Sequence, residues 1–292
     1  MDNKTFSYLN GNTIELHYWL KGSSHSMDAF IQNKCERELL SLIEEITHAF
    51  NSPLIIETEP FGEGGLRRWF TIVPGVQNNK GILITAIVVA LVTGIIVTPI
   101  NTTLSEVAKA LVARILEDDE LKTLQKDKLK EEIENLKVDT ELKVQQLSEN
   151  KKIIQRRSNF YSTIQKYGKA DKITFSIEDH EKSVQEEINI SRSDFDKFIV
   201  VSNDLESIID RNAEIEIIAP ILKKGKYKWI GIYEGKVLNF NMKSNEFKTL
   251  VQTGEVEFKN GSSINCVLEI KRKLNNIGEE VITGYDIIQV NE

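Results

Sequence analysis

Four lysines within six positions, Lys223, Lys224, Lys226 and Lys228, enclose Tyr227 and lead into Trp229. Ammonium groups at that density beside aromatic rings suit an anion such as a nucleotide, an RNA or an acidic lipid headgroup. Lys271, Arg272 and Lys273 fall on a later strand-like segment and would extend such a face. On an exposed strand edge, the same lysines would instead block edge-to-edge association. Gly62-Glu63-Gly64-Gly65 before Arg67 and Arg68 offers backbone N–H groups and guanidinium groups to a phosphate, against the plainer reading of a turn entering a membrane interface. The histidines are scattered: His17, His25 and His48 have Glu15, Glu44, Glu45, Glu57 and Glu59 nearby in sequence, whereas His180 stands apart. No short His-x-x-x-His or paired-cysteine spacing assembles a metal site, and His17 is expected to face solvent. No P-loop, nucleophile elbow, HExxH, EF-hand or dinucleotide fingerprint is present. The expectation is therefore a protein without enzymatic activity, with no catalytic residue, metal or cofactor assigned.

These residues need a scaffold, and the composition bounds it. The chain has 292 residues, 40% hydrophobic and 28% charged, with 37 basic against 44 acidic side chains and a net charge of −7. Such a chain folds, in about two domains, and lacks the overall basic excess of a general nucleic-acid binder. Cys35 and Cys266 are too far apart in sequence to suggest a zinc knuckle or disulfide framework, which fits a reducing compartment.

Residues 81–100, GILITAIVVALVTGIIVTPI, carry no charge. As a helix they extend ~30 Å, the thickness of a bilayer's hydrocarbon core, and the spacing predicts a transmembrane segment over 76–100. A helix buried in a soluble core is the competing reading. Ala86, Ala90, Gly94 and Thr98 recur every four positions and form a small-residue face suited to helix packing and self-association in the membrane. Arg67, Arg68, Trp69 and Phe70 read as its interfacial anchor.

Around this run, the pattern predicts an α+β chain. TFSYL, an Asn10-Gly11-Asn12 turn and TIELHYWL suggest a hairpin, followed by a helix from Ser26 to about Phe50 and a strand at 53–58, a β-β-α-β domain over residues 1–75. Residues 101–157 are rich in Glu, Lys, Leu and Gln and read as an amphipathic, partly coiled-coil stalk. From 158 to 292 short alternating runs predict a β-rich domain with hairpin turns at Glu234-Gly235 and Asn260-Gly261, helices at 191–199 and 244–252, and a twisted sheet or half-open barrel as architecture.

The stretch IELHYWLKGSSHSMDAFIQNKCERELL, with EPFGEGGLRRWF and one apolar run behind it, resembles uncharacterised bacterial proteins. The order of head, span, stalk and β-rich tail is similar to that of membrane effectors of anti-phage and abortive-infection systems. The resemblance implies a single-pass protein of the bacterial inner membrane, with soluble domains facing the cytoplasm at least in part. Its implied partners are the lipid bilayer, further copies of itself and a small-molecule or protein signal that alters membrane integrity. The alternatives are a tether or scaffold subunit, and a membrane-bound hydrolase using His25 or His48.

Overall fold

The computed structural model describes residues 11–23, 26–59, 66–76, 78–100, 150–179, 182, 184–223 and 227–291, with isolated positions between 110 and 147. The chain divides into two compact units, Met1–Val201 and Ser202–Glu292.

Unit 1 is built on an antiparallel sheet of order β2-β3-β1-β4-β5. Its strands are β1 (Thr13–Leu20), β2 (Leu54–Thr58), β3 (Leu66–Pro74), β4 (Ala170–Glu178) and β5 (Val184–Ser191), and its helices are α1 (Ala29–Ala49), α2 (Asn79–Ile96) and α3 (Lys151–Lys166). Asp28 starts α1 by accepting from the N–H groups of Phe30 and Ile31, and Leu39, Leu42, Ile43 and Ile46 recur at helical spacing on its buried side. The period of two along β1 sends Ile14, Leu16 and Tyr18 into the core, opposite Phe70, Arg68 and Leu66 of β3 and Ile177, Phe175 and Ile173 of β4. The first strand of the expected N-terminal hairpin, TFSYL, lies outside the described residues.

The apolar run forms α2, and it is interior. Every position from Leu83 to Thr98 is buried, and the helix lies against β1, β3, β4 and α1. A helix apolar on all sides needs a surround without water, which a packed core supplies as well as lipid does. Its C-terminal carbonyls are satisfied by side chains of α3: Arg157 Nη1 donates to Ile95 O (3.2 Å) and Thr98 O (2.8 Å), and the Tyr161 hydroxyl donates to Ile96 O (2.8 Å). A buried guanidinium at that end also answers the negative pole of the helix dipole. Burial draws the Arg157 pKa down to about 10, still cationic at neutral pH.

These contacts correct the membrane reading. Among the described residues no helix is long and apolar enough to cross a membrane, so a single-pass position in a bacterial inner membrane, and the membrane and transmembrane assignment with it, is not supported. Ala86, Ala90, Gly94 and Thr98 are buried inside the chain's own core, where the Thr98 hydroxyl donates to Gly94 O (2.6 Å). Arg67, Arg68, Trp69 and Phe70 lie on β3: Arg67 pairs with Glu15 (3.1 Å), Arg68 with Glu36 (3.0 Å), the Trp69 indole donates to Glu178 (3.1 Å), and Phe70 is in the core. The stalk expected over 101–157 is not evident. Its last residues begin α3, with Ile153 and Arg157 buried, and Val112, Ile115 and Leu147 join the same core. The remainder of that segment lies largely outside the described residues.

Unit 2 is a closed five-stranded barrel, β10-β8-β7-β6-β9. It comprises β6 (Asp204–Ala219), β7 (Trp229–Tyr233), β8 (Lys236–Met242), helix α4 (Asn245–Thr253), β9 (Ser263–Leu274) and β10 (Glu280–Val290). β6 pairs with both β7 and β9, β9 pairs with β10, and β10 closes onto β8 in parallel. Five strands in this order, with a helix between the third and fourth, have the connectivity of the OB-fold. Glu234 (φ 48°) and Gly235 (φ 74°) form the tight turn that joins β7 to β8. Gly231 lets β7 approach β6, since a Cβ there would lie 2.7 Å from both Glu216 O and Ile215 Cγ2.

Candidate functional site

A cleft of about 650 Å³ opens at one end of the barrel in unit 2. Three elements build it. The segment entering β7 contributes Lys223, Tyr227 and Trp229; the end of β8 contributes Asn241 and Lys243; α4 contributes Asn245, Lys248, Thr249 and Gln252. Ser244 caps α4 by accepting from Phe247 N (3.3 Å), which fixes the helix's rotation. Phe247 and Val251 then point into the barrel core, while positions 245, 248, 249 and 252 share the polar face toward the cleft. Trp229 is the floor: it is 2% exposed, and its ring lies 5.8 to 6.2 Å from those of Phe240, Phe247 and Phe258.

Among the described residues the lining carries three lysines and no carboxylate. Lys243 Nζ lies 3.9 Å from Asp286, a long pairing, because Asp286 already accepts from Lys271 (2.7 Å) and Asn241 (2.6 Å). Burial opposes the charge on Asp286, yet those bonds hold its pKa below the usual carboxylate range. Among the described residues no ion pair engages Lys223 or Lys248. Cationic groups, amide and hydroxyl donors and an exposed Tyr227 ring therefore converge on a space of ligand size.

Of the basic residues expected to act together, Lys223 and Trp229 are brought to the cleft; Lys228 is exposed but does not line it, and Lys224 and Lys226 lie outside the described residues. Lys271 and Arg272 are engaged elsewhere, by Asp286 and by Glu280 (2.7 Å). Asn241, Lys243 and Lys248 were not anticipated. The polar stripe at 245, 248, 249 and 252 behind the Ser244 cap was the available signal for the helix's share.

Unit 1 carries a second polar constellation, on the sheet face opposite the helices. Thr13, Glu15, His17 and Trp19 of β1 stand beside Arg67, Trp69 and Thr71 of β3 and Lys172, Thr174, Ser176 and Glu178 of β4. Glu15 lies between Arg67 and Glu178, and Glu178 also accepts from the Trp69 indole. Burial, then the bond and charge of Glu15, push the Glu178 pKa up to about 7. His17, stacked on Trp19 at 4.0 Å, is 4% exposed rather than solvent-facing; burial, then Arg67 and Lys172, lower its pKa to about 4. The Trp19 indole donates to Thr174 (2.8 Å), which in turn donates to Asn189 (2.7 Å). The Gly62–Gly65 loop and His25 lie outside the described residues, and His48 is on exposed α1 surface. Among the described residues no group of three or more His, Cys, Asp or Glu side chains is arranged to hold a metal ion.

No family model, curated protein or solved structure matches this chain.

Proposed function

We propose that this chain is a ligand-binding protein whose barrel unit recognises a phosphate-bearing small molecule of nucleotide size. The observation that carries the reading is the cleft at the end of the barrel, with Lys223, Lys243 and Lys248 on its walls and no carboxylate among them. Among the described residues no ion pair engages Lys223 or Lys248 and Lys243 has only the long contact to Asp286, so a phosphate gains charge-assisted hydrogen bonds of the strong kind from all three. Tyr227, 62% exposed, offers a ring for a base or another flat group. By analogy at the level of fold, barrels of this connectivity bind oligonucleotides and oligosaccharides across their second and third strands and adjoining loops, and here Tyr227, Trp229 and Asn241 stand on or beside the corresponding strands β7 and β8.

An effect on membrane integrity transmitted through a spanning helix has lost its helix to the core of unit 1, and the signal-binding part of the expectation is what remains.

The test is thermal unfolding of the full chain with ADP, pyrophosphate or adenosine. Ligand at 100 times its Kd stabilises the bound fold by ~2.7 kcal/mol. ADP and pyrophosphate should raise the transition of the barrel and adenosine alone should not. Adenosine acting as well as ADP, or no shift with either anion, contradicts the reading.

A further inference from the structure

The second inference concerns unit 1 and is independent of the cleft. β2 is an edge strand: it pairs with β3 on one side, and among the described residues no strand pairs with its other side. Its sequence, Leu-Ile-Ile-Glu-Thr, has none of the lysines or prolines that usually protect an open edge, and Ile55 and Ile56 are 55% and 36% exposed. Beside it, α1 and β2 bound a groove of about 380 Å³. Leu40, Ser41, Leu54 and Ile56 form its middle, with Arg37 and Glu44 also on its α1 wall.

Arg37 and Glu44 are two helical turns apart, about 10 Å along one face of α1, with Leu40 and Ser41 halfway between them. Opposite charges placed evenly about an apolar centre are self-complementary under a two-fold rotation.

We propose that this edge is the interface for a second copy of the chain. The β2 strands pair antiparallel about Ile56 and continue the sheet from one copy into the other. The two α1 helices lie antiparallel beside them, with Leu40 against Leu40 and Arg37 of each copy facing Glu44 of the other. The chemistry selects a second copy over an unrelated extended peptide because the groove presents both members of its own charge pair.

Sedimentation velocity of the full chain over a concentration series tests this. The chain should be dimeric, and Ile56→Lys should make it monomeric. Arg37→Glu and Glu44→Arg should each weaken the dimer by ~10-fold, through like charges brought together twice by symmetry, and the combined variant should restore it. Leu40→Cys should form a disulfide-linked dimer on oxidation, since Cys35 and Cys266 are buried. A wild-type chain that stays monomeric at the highest attainable concentration overturns the proposal. So does a dimer indifferent to Ile56→Lys, or one that the charge swap fails to restore.

Discussion

The two units place charge and polarity in opposite ways. In unit 1, Glu15, Trp69, Glu178 and Arg157 are buried, and each engages a side chain or a backbone carbonyl of the fold. In unit 2, Lys223 and Lys248 line an open cleft with no carboxylate among the described residues of its walls. A buried polar group whose partners lie within the fold is a structural element, because removing one partner leaves the other unsatisfied. A cation without such a partner contributes little to folding and is available to bind. The comparison teaches that the number of charged groups is a poor guide to a site; what matters is whether the fold has already satisfied them.

Arg157→Leu should give the largest effect. It removes two hydrogen bonds from the end of α2 and should cost about 3 kcal/mol of unit 1 stability, read as a lower urea midpoint in the full chain. Pyrophosphate binding by the barrel should persist wherever the protein is folded. A variant as stable as the parent would show that α2 does not depend on that cap.

Lys223→Glu together with Lys248→Glu should reverse the pattern. Affinity for pyrophosphate should drop ten- to a hundredfold, about 1.4 to 2.7 kcal/mol, while the urea midpoint changes by no more than about 0.5 kcal/mol. Loss of stability comparable to that of Arg157→Leu would erase the distinction between the units.

The smallest effect is in pH dependence. Glu178, raised from 4.5 to about 7, holds its proton better in the fold than in the unfolded chain, so its contribution falls as pH rises from 4.5 to about 7. His17, lowered from 6.5 to about 4, is kept neutral, so its contribution falls as pH drops from 6.5 to about 4. The two oppose each other, and above pH 6.5 the Glu178 contribution is the larger. Unit 1 should therefore lose on the order of 1 kcal/mol between pH 6.5 and 8. Glu178→Gln should flatten that decline in urea titrations at the two pH values; an unchanged slope would remove Glu178 as its source.

Much of the fold was legible where local rules decide it. Asp28 and Ser244 mark helix starts, Glu234-Gly235 marks a hairpin, and the alternation of Ile14, Leu16 and Tyr18 marks a strand, though not that its other face is buried as well. The environment of α2 was not, because hydropathy reports that a segment avoids water and not what replaces the water. Arg157 and Tyr161, which close its end, are remote in sequence and sit on a segment whose composition resembles an exposed stalk. Sheet partners were hidden for the same reason: β4 comes far along the chain from β1, so the Glu15–Glu178 contact has no local signature. In the barrel, the basic and aromatic cluster around Trp229 is visible in composition alone, whereas Lys243 reaches the cleft from the end of β8 and Lys248 through the packing of α4.

The most direct test of the account is a calorimetric titration of pyrophosphate into the full chain and into the Lys223→Glu, Lys248→Glu variant under one salt condition. Saturable binding to the parent, weakened at least about tenfold in an equally stable variant, is the predicted result. Absence of saturable binding to the parent, or identical affinity in the two proteins, would contradict it.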